Sequence, residues 1–331
     1  MILRARWLTR LLGPAILAYF LITTDLHRIG GILRDVRWMP LLLSLALYPG
    51  VVLTKAWRWR RLTAELGVPA LSLRESAVLF LIGQFAGAAT PGQSGDFVRA
   101  WYLRERGSAL STALFSILLD RLLDFLLLAL VSLVGLIAFL DVFPAALRPA
   151  ILGSTVGFTA VMIVVVPMLM ARRSRRWLFE WMGRLAPASM RQRFARWQSL
   201  LDTLELHPRV VLALLSATVA ATLVVMVRIW LLFRALDILV PSALLVASAA
   251  LISILQTLPV SVAGVGVRDA VLVAALARHG YPAERALALS ALFLVLVVEQ
   301  MFLGFLVTMR HPLGDTNRGQ TPMARHDVGV P

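Results

Sequence analysis

The sequence predicts an all-α integral membrane protein: a polytopic helical bundle of about six full spans plus two broken, re-entrant hairpins in an inverted repeat. Three observations carry this. Apolar residues make up 59% of the 331 residues and mean hydropathy is +0.81, against roughly 45–50% apolar residues in soluble domains. The apolar residues fall in long runs separated by arginine clusters. Two of the runs are cut by proline and glycine at corresponding places, about half the chain apart. The net charge of +15 does not imply nucleic acid, because the arginines lie between apolar runs, where the positive-inside rule puts them. The chain has no cysteine, which excludes disulfides, thiol catalysis and cysteine metal sites, and its five histidines lack ligand spacing. No metal and no cofactor is expected.

In chain order, Arg4, Arg6 and Arg10 precede an apolar run from Leu11 to Thr24. No small-residue cleavage site follows, so the run reads as a retained first span with its N-terminus in the cytoplasm. Met39 to Ala56 is the second span, kinked at Tyr48-Pro49-Gly50. Lys55-Ala-Trp-Arg-Trp-Arg-Arg then reads as a cytoplasmic anchor with interfacial tryptophans. Its plainest role is a topology signal; alternatively Arg58 and Arg61, three apart on one helix face, hold an anionic lipid headgroup.

The apolar arm from Ser76 to Ala89, which contains Gln84, stops at Thr90-Pro91-Gly92, and Gly95, Asp96 and Arg99 follow. Proline stops a helix and glycine permits unusual backbone angles. Within a bilayer such a break is tolerated only against protein or beside water. The arm is too short to cross a core of ~30 Å. Basic residues on both sides suggest a hairpin that enters from the cytoplasm and returns.

Ala109 to Leu140 is apolar apart from Asp120, Arg121 and Asp124. A charge at mid-bilayer costs about 2.5–3.5 kcal/mol, so these three should face the interior. Arg121 can pair with Asp124 at i,i+3 as a structural lock, or the group can floor a substrate cavity. Asp141 to Pro149 reads as an outer loop and Ala150 to Ala171 as the next span. The basic linker, 172–209, carries nine arginines interleaved with Trp177, Trp181 and Trp197, and suits helices lying on an anionic inner leaflet. Val210 to Phe233 spans next; its Arg228 reads mainly as a snorkelling side chain. Ser242 to Leu258 breaks at Pro259, with Ser261, Gly264, Gly266, Arg268 and Asp269 after it, and Ala270 to Ala277 forms the returning arm. Ala286 to Met309 is the last span and buries Glu299. Residues 310–331 read as a disordered cytoplasmic tail.

Each half thus has three spans and one broken hairpin, repeat one covering about 1–140 and repeat two about 150–309, within one transmembrane domain over 1–309. An odd number of crossings inverts the second half. Helices restarting near Asp96 and Arg268 present free N–H groups and a positive dipole end, suited to phosphate, to which Arg99 and Arg268 can add hydrogen bonds. Against this stand plain helix kinks at the prolines and glycines, and a local Asp96–Arg99 pair.

At these residues the chain resembles the transmembrane region of the lysylphosphatidylglycerol synthase superfamily, or flippase-like domain proteins. The resemblance rests on Thr90-Pro91-Gly92 with Gly95, Asp96 and Arg99, on Ser116 with Asp120 and Arg121, and on Pro259, Ser261, Gly264, Gly266, Arg268 and Asp269. It covers roughly residues 10 to 310. It implies a lipid translocase of a bacterial inner membrane, with both termini cytoplasmic, moving an anionic or amphipathic lipid such as a phospholipid, hopanoid or polyprenyl-linked lipid between leaflets. Arg99 and Arg268 would hold the headgroup, and Asp120, Arg121, Asp124 and Glu299 would form the polar path. The soluble aminoacyl-transfer domain of the family's synthases is missing after Met309, so no enzyme activity is expected. No Walker-type loop appears, so ATP hydrolysis in this chain is not expected. The alternatives are a membrane-embedded lipid-modifying enzyme and a non-transporting partner of lipid- or glycan-biosynthesis enzymes.

Overall fold

A computed structural model describes residues 31–88, 90–140, 145–185, 206–257 and 267–311. Among these residues every regular element is helical. In chain order they are α1 (Trp38–Ala46), α2 (Tyr48–Glu65), α3 (Leu73–Ala88), a 3-10 turn (Pro91–Phe97), α4 (Val98–Glu105) and α5 (Leu110–Phe139). A 3-10 turn (Ala145–Leu147), α6 (Arg148–Met170), α7 (Arg172–Leu185) and α8 (Pro208–Ala235) follow. Last come α9 (Ser242–Thr257), α10 (Val267–Ala277) and α11 (Ala283–Arg310).

Among the described residues, four stretches are long and apolar enough to cross a membrane: Trp38–Glu65, Ala145–Met170, Pro208–Ala235 and Ala283–Arg310. Their outer surfaces expose large apolar side chains such as Leu152, Val161, Val164, Leu212, Leu223, Val298 and Phe302, a coat that only lipid can cover without penalty. The 30 residues of α5 are long enough as well, at ~1.5 Å per residue, but carry the three central charges. The first expected span, Leu11–Thr24, lies outside the described residues, as do 186–205 of the basic linker and the tail beyond His311.

The kink expected at Tyr48-Pro49-Gly50 is a break at Leu47 between α1 and α2, with Pro49 in the first turn of α2, where its missing N–H loses no helical bond. The expected end of this span at Ala56 is corrected: α2 runs on to Glu65, so Lys55 and Arg58 belong to a helix inside the bundle. The entry to α3 is a capping box, in which Glu75 accepts from the Ser72 N–H at 2.7 Å and Ser72 Oγ accepts from the Glu75 N–H at 3.1 Å.

Helix packing exchanges the two halves. The long helix α5 packs on α9 of the second half, α11 packs on α3 of the first, and α2 and α8 pack on each other. Both exchanged contacts close on a glycine. A Cβ on Gly135 would lie 2.7 Å from Ala247 Cα, and one on Gly304 would lie 2.7 Å from Phe85 Cβ and 2.8 Å from the Leu81 carbonyl. Lipid gives helices no hydrophobic reason to associate, so backbone approach at small residues supplies the contact.

At the end of α6 the chain turns into α7, with Trp177 and Trp181 exposed and stacked at 6.5 Å. Arg175 is buried instead and donates to the carbonyls of Leu169, at 2.9 Å, and Met170. These are two of the carbonyls that α6 leaves unpaired.

Gly135→Ala and Gly304→Ala should each destabilise the detergent-solubilised protein by about 1–3 kcal/mol, the usual cost of overpacking. Gly157→Ala, where a Cβ meets nothing within 4 Å, should be neutral or stabilising by about 0.5–1 kcal/mol. Thermal unfolding of the three variants checks the contrast.

Candidate functional site

The first break is built by local bonds. Thr90 is extended (φ −121°, ψ 144°), as the residue before a proline prefers. Its hydroxyl donates to the Ala86 carbonyl at 2.9 Å and accepts from the Gly95 N–H at 2.6 Å. This folds the turn of Pro91 and Gly92 back against α3. A Cβ on Gly95 would lie 2.1 Å from the Ala86 carbonyl oxygen, so the approach requires glycine there. Gly83 leaves a second gap on α3, where a Cβ would meet Asp96 and Arg99.

Asp96 and Arg99 pair with each other as expected, and both are buried. Arg99 also lies 4.8 Å above the Trp59 ring and 3.5 Å from Asp120. Arg121 donates to Asp96 at 2.7 Å. This corrects the pairing of Arg121 with Asp124 expected from their spacing: the hairpin delivers a carboxylate that sequence distance hides. Asp124 is taken instead by Lys55 at 2.9 Å and Arg58 at 2.7 Å. Arg58 is fully buried, bonds Asp120 at 2.7 Å, and donates to the Asp120 carbonyl and to Thr218 of α8. Among the described residues this network joins four cations, Lys55, Arg58, Arg99 and Arg121, to three carboxylates, Asp96, Asp120 and Asp124.

The reading of Arg58 and Arg61 as neighbours on one headgroup-binding face is therefore corrected. Arg61 points outward and pairs with Glu65 at 3.5 Å, while Arg58 points into the bundle. Charge in this interior is sustained by buried partners from other helices, which Arg58 has, whereas Arg61 pairs with Glu65 on the exposed face of its own helix.

The second half has a smaller counterpart. Arg228 on α8 is buried, pairs with Glu299 of α11, and donates to the Ser44 carbonyl at 2.7 Å. Its guanidinium lies 4.9 Å from the Tyr48 ring centre. The expectation that Arg228 snorkels is corrected, because its partners lie inside. Arg268 and Asp269, at the start of α10, are both buried and share Ser290 of α11, whose hydroxyl accepts from Arg268 at 2.9 Å and donates to Asp269. Among the described residues, one terminal nitrogen of Arg268, Nη1, has no hydrogen-bond partner. Pro259, Ser261, Gly264 and Gly266 lie outside the described residues.

Between the two ion-pair groups lies a cavity of about 210 Å³. Lys55, Arg121 and Asp124 line it on one side, Arg228 and Gln300 on the other, with Tyr48 and Gln84 between them. Phe125, Leu128, Val225, Ile229, Phe293 and Leu296 are among the apolar residues of its wall. Arg99 and Arg268, the expected headgroup ligands, do not line it; both stand behind the wall, Arg268 under Phe293. Of the expected site residues, Gln84, Arg121 and Asp124 line the cavity, Asp96, Arg99 and Asp120 buttress it, and Glu299 holds Arg228. Sequence reasoning missed Lys55 and Tyr48. A usable signal existed for Lys55: two cations three apart on one helix match two acids four apart on another.

Such an arrangement defines a helical membrane protein with an internal cavity whose wall is part charged and part apolar. The family model described as Lysylphosphatidylglycerol synthase TM region matches residues 10–303, and the chain belongs to that family, which links it to lipid handling. Neither a curated protein nor a solved structure matches the chain.

Removing the Arg58 guanidinium leaves Asp120 and Asp124 short of a partner. Arg58→Met should destabilise the protein by about 3–5 kcal/mol, and Arg58→Met with Asp120→Asn by clearly less. Thermal unfolding of the two single variants and the double variant measures the coupling.

Proposed function

We propose that the protein is a lipid translocase, carrying an anionic or amphipathic lipid between leaflets with its headgroup in the central cavity. The observation that supports this most is the mixed wall of that cavity, set where the two halves meet. A headgroup requires charge and hydrogen bonds inside the bilayer, while its chains require none. The excess of cations over carboxylates in the network favours an anionic group, and Lys55, Arg121 and Arg228 stand where such a group would be held.

In this reading the α1–α2 helix, α5, α6, α8 and α11 cross the bilayer. The hairpins α3–α4 and α9–α10 dip in from opposite faces. At 16 and 8 residues, α3 and α4 reach ~24 Å and ~12 Å, short of the core's ~30 Å. The links Arg58 to Asp120 and Arg228 to Glu299 each join the long helix before a break to the long helix after it, a correspondence that supports a repeat. Arg99 and Arg268 act as supports behind the wall rather than as ligands. Helix α7, with its arginines and stacked tryptophans, rests on the anionic cytoplasmic leaflet of the inner membrane, where both termini lie.

The test is movement of a fluorescent phosphatidylglycerol across purified, reconstituted vesicles, read by chemical quenching of the outer leaflet. The wild type should equilibrate the label. Arg121→Gln and Arg228→Gln should each slow it roughly ten- to hundredfold, as loss of a charged hydrogen bond worth about 1.5–3 kcal/mol predicts. Unchanged rates in both variants would remove the cavity from the route.

A further inference from the structure

A second space opens beside the cavity. It is a groove of about 350 Å³ between α2 and α11, floored by Leu81 of α3. Its wall is apolar except at its two ends, which are Tyr48 and Arg310. Leu53 and Leu306 on its rims are exposed on the outer surface, so it faces the lipid. Tyr48 lines both spaces. One ring therefore divides a charged chamber, where it meets Arg228, from an apolar slot.

We propose that this groove seats one hydrocarbon chain of a lipid whose headgroup lies beyond Tyr48 in the central cavity, and that the gap between α2 and α11 is the lateral route by which that lipid enters. The inference rests on the translocase reading and adds the position of the tail. The occupant follows from the wall. A peptide strand lying there would leave its N–H and C=O groups unpaired, which costs several kcal/mol per group in hydrocarbon. A hydrocarbon chain has no such groups. Lipid outside is as apolar as the groove, so the slot contributes no hydrophobic affinity. Its work is geometric: the chain stays in an apolar medium while the headgroup leaves the interface. Arg310 marks the end at which a phosphate would start its passage, and the guanidinium can pair with it there.

The experiment uses the full chain in phosphatidylglycerol vesicles containing phosphatidylglycerol with a photoreactive diazirine on one acyl chain. After illumination, adducts should concentrate on Leu53, Leu81, Leu303 and Leu306. Adducts spread evenly over the outer surface, Val161 and Val164 of α6 included, would overturn the proposal. In the quenching assay, Leu303→Trp should fill the slot and slow the label about tenfold, while Val164→Trp, on the outer face of α6, should not. An unchanged rate in a folded Leu303→Trp protein, with the wild type active, also overturns it. If the wild type moves no lipid, the translocase reading fails, and the adducts alone decide whether a chain occupies the groove.

Discussion

A fully buried guanidinium governs this bundle. Arg58 sits in α2 with no exposure, and everything that makes its position tolerable comes from elsewhere in the chain: two carboxylates and a carbonyl from α5, and a hydroxyl from α8. An isolated charge there would be prohibitive, and an ion pair without further hydrogen bonds would be poor compensation. Three helices are thereby required to meet at one depth and in one rotation. Lys55, one turn earlier, and Arg99, brought by the hairpin, extend the same bargain to the remaining carboxylate oxygens.

Bringing such groups together takes close helices, and the exchanged packing provides them. Gly135 against Ala247 and Gly304 against Phe85 let α5 lie close on α9 and α11 close on α3. At the first break Gly95 and Gly83 serve the charge network more directly, one admitting the turn to α3 and the other admitting Asp96 and Arg99. Glycine here trades helix propensity for approach. The return is a wall of paired charge beside the central chamber.

Much of this was legible in the sequence. Thr90-Pro91 followed by Gly95 announced a break, since proline stops a helix and a residue before it prefers extended backbone, and Thr90 does adopt that geometry. The inward direction of Asp120, Arg121 and Asp124 followed from the cost of charge in lipid. The pairings did not follow. Arg121 takes Asp96, 25 residues upstream, over Asp124 three residues away, because a hairpin and not a helix face sets their separation. Lys55 and Arg58 misled for a related reason. Basic residues after an apolar run usually mark the membrane surface, and only the acids of α5 reveal that this helix continues inward. Arg228 looked like an interface arginine until Glu299 supplied a partner from 71 residues further on.

Arg175 has a consequence for how the molecule sits. By clamping the last carbonyls of α6 it ties that helix to the start of α7, on which Trp177 and Trp181 are exposed and stacked. Paired indoles seek the boundary between headgroups and hydrocarbon. On the proposed placement of α7 along the leaflet surface, this joint with its indole anchor works like the flange on a pipe and sets how deep the bundle is seated. On that placement, the lipid around α6 in a thinner or thicker bilayer would adjust its height to the protein, rather than the protein sliding to suit the lipid.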